Sequence, residues 1–281
     1  VNESTLNASS VKDTLLGQHT EYPVRYAPEV LCPVPRQEGR SALGLASGLL
    51  PFQGVDVWTH YEVSWLDAAG KPVVALAELV VPADSPNLIE SKSLKLYFNS
   101  LNFERFSSEA DFSARVEADL GRVAGAPVAL RLWLAGHAEM PGIDRLPGVC
   151  LDDLPLSCED FVLDAAHLRA DPTHTVAEVL NTNLLRSLCP VTHQPDWGSV
   201  LIRYKGPAID RAGLLAYVVS FRNHPDFHEQ CVERIFMDIL TRCQPEMLTV
   251  YARYTRRGGL DINPFRTNCG DEPSPVRLFR Q

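Results

Sequence analysis

The sequence predicts an α+β fold made of two related modules, and three observations predict it. A run alternating apolar and polar residues, Trp58 to Leu66, is followed by the turn Asp67-Ala-Ala-Gly70 and a strand-like run, Val73 to Val81, which together read as a β-hairpin. Each half of the chain then continues with a strand, a helix and a strand. The frame Phe106-Ser-Ser-Glu-Ala-Asp111-Phe112-Ser113-Ala114 recurs as Phe221-Arg-Asn-His-Pro-Asp226-Phe227-His228-Glu229, so the two helix starts correspond at an offset of 115 residues.

The elements follow from local patterning. Residues 1–54 hold several prolines (Pro23, Pro28, Pro33, Pro35, Pro51) and few periodic runs, and read as a short helix near 10–16 with an extended lead-in. In the first module, 55–140, the hairpin leads to a strand at Leu94–Phe98. A helix at Ser108–Ala124 has an apolar stripe at Phe112, Val116, Leu120 and Val123, and a strand follows at Val128–Leu134. A connection, 141–170, is rich in Pro, Gly and Asp over 141–160. In the second module, 171–281, an ordered segment Asp171–Leu188 leads into Cys189. Strands at Val200–Tyr204 and Leu214–Phe221 precede a helix at His224–Arg242 with a stripe at Phe227, Cys231, Ile235 and Ile239, and a strand at Met247–Tyr254. Aligned on Tyr97 and Tyr217, Glu90-Ser-Lys-Ser-Leu-Lys-Leu-Tyr stands opposite Asp210-Arg-Ala-Gly-Leu-Leu-Ala-Tyr, which has no lysine. Conversely, His228-Glu229 stands opposite Ser113-Ala114. The two copies divide one set of reactive residues between them.

With 281 residues, 45% of them apolar, the chain can bury cores for two such modules. A formal charge of −9 argues against a surface built for nucleic-acid phosphates, so an anionic ligand must be met by a local basic pocket. The seven cysteines lack CxxC and zinc-ribbon spacing and read as free thiols of a reducing compartment. No apolar run approaches the roughly 18 residues that span a bilayer. The expectation is a cytoplasmic protein with no membrane and no direct nucleic-acid partner.

The segment Leu188-Cys189-Pro190-Val191-Thr192-His193-Gln194-Pro195-Asp196-Trp197 carries the clearest chemistry. A residue before proline is held extended, which places Cys189 on a fixed backbone just beyond a helix. A cysteine acts as a nucleophile when a neighbouring acid-base group takes its proton, and Asp196 is the nearest candidate. Cys189 as a small buried hydrophobe stands level with that reading. Glu229, after Pro225 in a first helical turn, can accept two parallel hydrogen bonds from a guanine-like edge, or simply stabilise the helix. Ser91, Lys92 and Lys95 at a strand start, with Arg256-Arg257-Gly258-Gly259 at a strand exit, form either two walls of a phosphate site or solvated charge. Without GxGxxG or a P-loop, any nucleotide site here is neither Rossmann nor Walker in type.

Together, the Glu90 to Tyr97, Cys189 to Asp196, Phe221 to Glu229 and Arg256 to Gly259 motifs resemble those of the NADPH-dependent 7-cyano-7-deazaguanine reductases, the QueF family of nitrile reductases, in its long two-module subtype. The resemblance implies tandem tunnelling-fold modules, with antiparallel sheets and paired helices related to GTP cyclohydrolase I, assembled as a homodimer. It implies Cys189 as the nucleophile that forms a covalent thioimide and Asp196 as proton donor. Ile89, Glu90, Ser91, His228 and Glu229 would bind the substrate 7-cyano-7-deazaguanine, while Ser91, Lys92, Arg257 and Gly258 would contact NADPH; no metal is implied. A cyclohydrolase would need zinc ligands, for which paired Cys/His spacing is missing. A purine-binding module with a structural cysteine is the remaining alternative.

Overall fold

A computed structural model of the protein describes residues 22–45, 48–136, 142–158 and 161–281. The helix expected near 10–16 and parts of the connection lie outside them. The chain runs through β1 (Pro33–Pro35), α1 (Arg36–Ala42), β2 (Gln53–Leu66), β3 (Pro72–Pro82), β4 (Asn87–Ile89), α2 (Ser91–Ser100), α3 (Glu109–Ala124) and β5 (Ala129–Leu134). Short strands β6 (Ile143–Asp144) and β7 (Val149–Cys150) precede β8 (Ala170–Leu188), β9 (Pro195–Ile209), α4 (Arg211–Ser220), α5 (His228–Cys243), β10 (Met247–Tyr254), β11 (Leu260–Thr267) and β12 (Arg277–Leu278). The turn between β2 and β3 closes as its composition requires. Asp67 Oδ1 accepts from the N–H groups of Ala69 and Lys71, each at 2.9 Å, and Gly70 takes a left-handed φ of +91°.

Eight strands form one sheet in the order β5-β3-β2-β11-β10-β9-β8-β7, antiparallel except where β7 runs parallel to β8. The halves meet inside it, because β11 pairs with β2 from Leu260↔His60 to Thr267↔Gln53. Each half has its own core. Trp65, stacked on Phe112 at 4.3 Å, packs with Leu94, Tyr97, Val116 and Leu120 under α2 and α3. Leu214, Tyr217, Phe221, Ile235 and Ile239 pack on Val200, Ile202 and Val250 under α4 and α5. Among the described residues, no helix is long and apolar enough to cross a membrane.

Two expected strands, Leu94–Phe98 and Leu214–Phe221, are helices instead, α2 and α4. Their buried side chains recur at three and four residues (Leu94, Tyr97, Phe98, Leu101; Leu214, Tyr217, Val218, Phe221), so each turns one stripe to the sheet. An acidic N-cap starts both: Glu90 accepts from Lys92 N and Ser93 N, and Asp210 from Ala212 N. Ser91, Lys92 and Lys95 therefore stand on a helix, and not at a strand start. The repeat itself is exact over these helices, which begin at 91 and 211. Tyr97 and Tyr217 donate their hydroxyls to Asp119 and Asp238, at 2.8 and 2.6 Å.

The second pair of helices is shifted from the expected frame. α3 begins at 109 and α5 at 228, an offset of 119 and not 115, so Glu229 stands opposite Ala110 and not opposite Ala114. α5 starts at His228, later than the expected 224, and Pro225 precedes the helix; Glu229 remains in the first turn. The expected helix before Cys189 is the long strand β8.

Candidate active site

Cys189 opens the six-residue loop between β8 and β9, whose register pairs Leu188 with Pro195 and Ser187 with Asp196. The loop is tied at both ends. Cys189 N donates to Gln194 O at 2.9 Å, and His193 N donates to Cys189 O at 3.0 Å with His193 at a φ of +54°. Leu188 N donates to His224 O and Asp226 N to Leu188 O, at 2.9 and 3.0 Å, which docks the loop against the approach to α5. Thr192 N points at Cys189 Sγ from 3.5 Å, a donor suited to a thiolate. The thiol is buried, with 2% of its residue surface exposed.

Asp196 lies across the hairpin from Ser187 and is held from two sides. His228 Nε2 stands 3.2 Å from Oδ2, and Arg257 Nη1 stands 2.9 Å from Oδ1. The His228 ring is fixed in turn by stacking on Tyr254, with centroids 3.7 Å apart and planes 1° from parallel. Its buried Nδ1 has no hydrogen-bond partner among the described residues.

Two buried carboxylates reach the same place from different halves. Glu90, at the end of β4, accepts from Lys92 N at 2.6 Å and Ser93 N at 2.7 Å. Burial pushes its carboxyl above the usual range, opposed by those two N–H groups. Glu229 is pushed up to about 8 by burial, with nearby Asp56 adding to the shift and Arg36 and Arg266 opposing it. A carboxylate in that condition gains from any ligand that brings N–H donors to it.

These groups line one cleft. Ile89, Glu90 and Ser91 enter from one half; Cys189, Asp196, His228, Glu229 and Arg257 enter from the other. Of the expected site residues, Lys92 and Gly258 are not in the lining, although each follows a lining residue in the chain. Val34, Trp58, Leu88 and Ile262 complete the apolar wall, and Phe227 and Asp226 extend the α5 side. Phe227 and Asp226 were visible within the repeated motif, whereas the apolar wall carries no sequence signal that separates it from core.

The two expected basic walls also meet. A Cβ on Gly258, whose φ is +62°, would come within 3.3 Å of Lys95 Nζ, so the Arg256–Gly259 turn lies against α2. Lys95 is paired with Glu62 at 3.4 Å.

Residues 22–132 match the family described as "Nitrile reductase, 7-cyano-7-deazaguanine-reductase N-term", and residues 195–273 match the family described as "QueF-like protein". The chain is 54% identical over 268 residues to the NADPH-dependent 7-cyano-7-deazaguanine reductase of Dechloromonas aromatica (strain RCB), covering 95% of this chain and 94% of that relative. A solved structure, that of the archaeosine synthase QueF-Like in the apo form, matches 34% of this chain and 95% of its own at 17% identity and a TM-score of 0.30, too little to carry an argument. With the match to the N-terminal family, the QueF-like match and a relative this similar along nearly its whole length, the chain belongs to the NADPH-dependent 7-cyano-7-deazaguanine reductase family.

Proposed function

We propose that this chain reduces 7-cyano-7-deazaguanine to 7-aminomethyl-7-deazaguanine with NADPH, a step of queuosine synthesis. The observation that carries this reading is the convergence in one cleft of a buried cysteine on a tethered loop, an aspartate held by His228 and Arg257, and two buried carboxylates from opposite halves. Glu90 and Glu229 accept the ring N–H groups of the deazaguanine, with His228, Ser91 and Ile89 beside it. Asp196 takes the Cys189 proton. The sulfur then adds to the nitrile carbon; a C–S bond forms, one π pair moves to nitrogen, and Asp196 returns the proton to that nitrogen, leaving a thioimide.

The turn at Arg257-Gly258 lying against α2 suits a phosphate-bearing cofactor, since it sets cationic side chains and a glycine backbone together. Ser91, Lys92, Arg257 and Gly258 would hold NADPH, which supplies hydride when bound. Burial of Cys189, Glu90 and Glu229 serves to keep water from a hydrolysable C=N unit.

The repeat of helix pairs over one continuous, mainly antiparallel sheet supports reading the chain as tandem tunnelling-fold modules, 55–140 and 171–281; assembly as a homodimer is what the family resemblance implies. Loss of NADPH absorbance on addition of 7-cyano-7-deazaguanine, with two NADPH consumed per nitrile, is the expected result. Absence of nitrile-dependent oxidation by folded protein would overturn the proposed activity.

A further inference from the structure

The lead-in before the first module carries no motif, yet part of it touches both carboxylate-bearing elements. On one side, β1 pairs with β4, with Pro33 opposite Ile89. Glu90 N donates to Cys32 O at 2.9 Å, and Cys32 N donates to Ser93 Oγ at 3.0 Å, so the backbone around Glu90 is fixed by residue 32. On the other side, α1 lies against α5. Arg40 donates from Nε and Nη2 to the two oxygens of Glu233, at 2.9 and 2.8 Å, and Glu233 stands one helical turn beyond Glu229 on the same helix face. The contact is close: a Cβ on Gly39 would lie 2.2 Å from Gln230 Nε2, beside Glu229. Arg36, between the two sides, donates to Asp56 at 2.6 Å and to Ser85 at 3.0 Å. Arg36, Arg40 and Glu233 are all buried.

A ligand gripped by two carboxylates depends on the distance between them. A paired, bidentate, buried linkage fixes distance better than a surface contact does, because neither partner can exchange to water. We propose that residues 32–40 are a brace that sets the separation of Glu90 and Glu229, and that Arg40 is a positioning residue acting through Glu233 and α5. This rests on the reading of Glu90 and Glu229 as the ring-binding pair.

Arg40→Met leaves Glu233 Oε1 its two bonds from Arg266, at 2.9 and 3.1 Å, but takes from Oε2 the Arg40 Nε donor, so the variant also loses some stability. The test compares the full-length wild type with Arg40→Met and Arg40→Lys by amide hydrogen exchange without ligand and by steady-state kinetics. In Arg40→Met, exchange in the first turn of α5 should rise at least about tenfold, while the β2–β3 hairpin changes less than about twofold. KM for the nitrile should rise at least about tenfold with KM for NADPH within about twofold, and Arg40→Lys should recover part of the loss. Unchanged exchange at α5, an unchanged nitrile KM, or equal changes in both KM values and at all amides would overturn the brace. If Arg40→Met does not fold, Gly39→Val, which wedges α1 from Gln230, is judged by the same criteria. Should the wild type fail to turn over the nitrile, the functional reading falls, while the exchange measurement still decides whether the brace orders α5.

Discussion

Replacing Glu90 by Gln tests the divided site at its least redundant point. Both Glu90 oxygens are committed to backbone donors, Lys92 N at 2.6 Å and Ser93 N at 2.7 Å, and the residue is 1% exposed. Each oxygen keeps a second lone pair that a ring N–H of the ligand can take, at Oε1 in place of the long 3.5 Å contact from Ser91 Oγ. Gln offers one acceptor oxygen, so one of the two helix N–H groups faces an amide NH₂ and is left buried without a partner. That costs about 1–3 kcal/mol of folding stability, in line with about 0.5–2 kcal/mol for a lost N-cap. A domain stable by about 5–15 kcal/mol survives this loss, so binding can be measured on folded protein. In the complex, the ring loses an acceptor and meets a donor, and at about 1.4 kcal/mol per factor of ten the nitrile should bind at least about tenfold more weakly. Calorimetry of the nitrile into Cys189→Ala and into Cys189→Ala/Glu90→Gln, with thermal melts of both, separates the two effects. A lowered melting temperature with affinity within about twofold of the parent would reduce Glu90 to a helix cap and refute the shared site.

Three further outcomes are expected. Wild-type protein mixed with nitrile and no NADPH should gain the mass of one substrate on Cys189, and Cys189→Ala should gain none; an adduct on Cys231 or elsewhere would displace Cys189 as nucleophile. Asp196→Asn keeps the fold but should lose about 10²–10⁴ in rate, because an amide cannot pass a proton; a variant within a few-fold of wild type removes Asp196 from the mechanism. Glu229, with its carboxyl pushed up to about 8, is protonated in the free protein at lower pH, so its folding contribution is full below the ordinary glutamate range and lost as pH rises through about 8. Ring binding needs the carboxylate, so nitrile affinity of Cys189→Ala should rise with pH from about 6.5, by up to about tenfold per unit, and level off above about 8. Glu229→Gln should flatten that rise, and a flat profile in the parent would show that the ligand does not use the ionised form.

Local order was legible wherever neighbours in sequence carry the period. The β2–β3 hairpin shows its alternation and its Asp67–Gly70 turn, and α3 and α5 show their stripes at Phe112-Val116-Leu120 and Cys231-Ile235-Ile239. Leu94 to Phe98 and Leu214 to Phe221 read as strands because such short apolar runs do not separate a period of two from one of 3.6. The acidic caps Glu90 and Asp210 were the signal that resolves them. Cys189, Asp196 and Glu229 stand out as candidates in the sequence because prolines or a helix start lie beside them, whereas Glu90 enters only through the family motif, since its helix reads as a strand. The charge cluster of Arg36, Arg40, Asp56, Glu233 and Arg266 could not be named. Its members lie up to 230 residues apart, and in sequence each is an ordinary surface charge. Val34, Trp58, Leu88 and Ile262 were equally silent, since an apolar side chain facing a cleft has the same character as one facing a core. The sequence by itself determined the β2–β3 hairpin, the apolar stripes of α3 and α5 and the duplication, and it offered the candidate reactive groups. Only the tertiary structure decided which charges neutralise one another in the interior and which apolar faces bound the cleft, because both depend on which distant segments the pairing of β2 with β11 and the docking of α1 on α5 bring together.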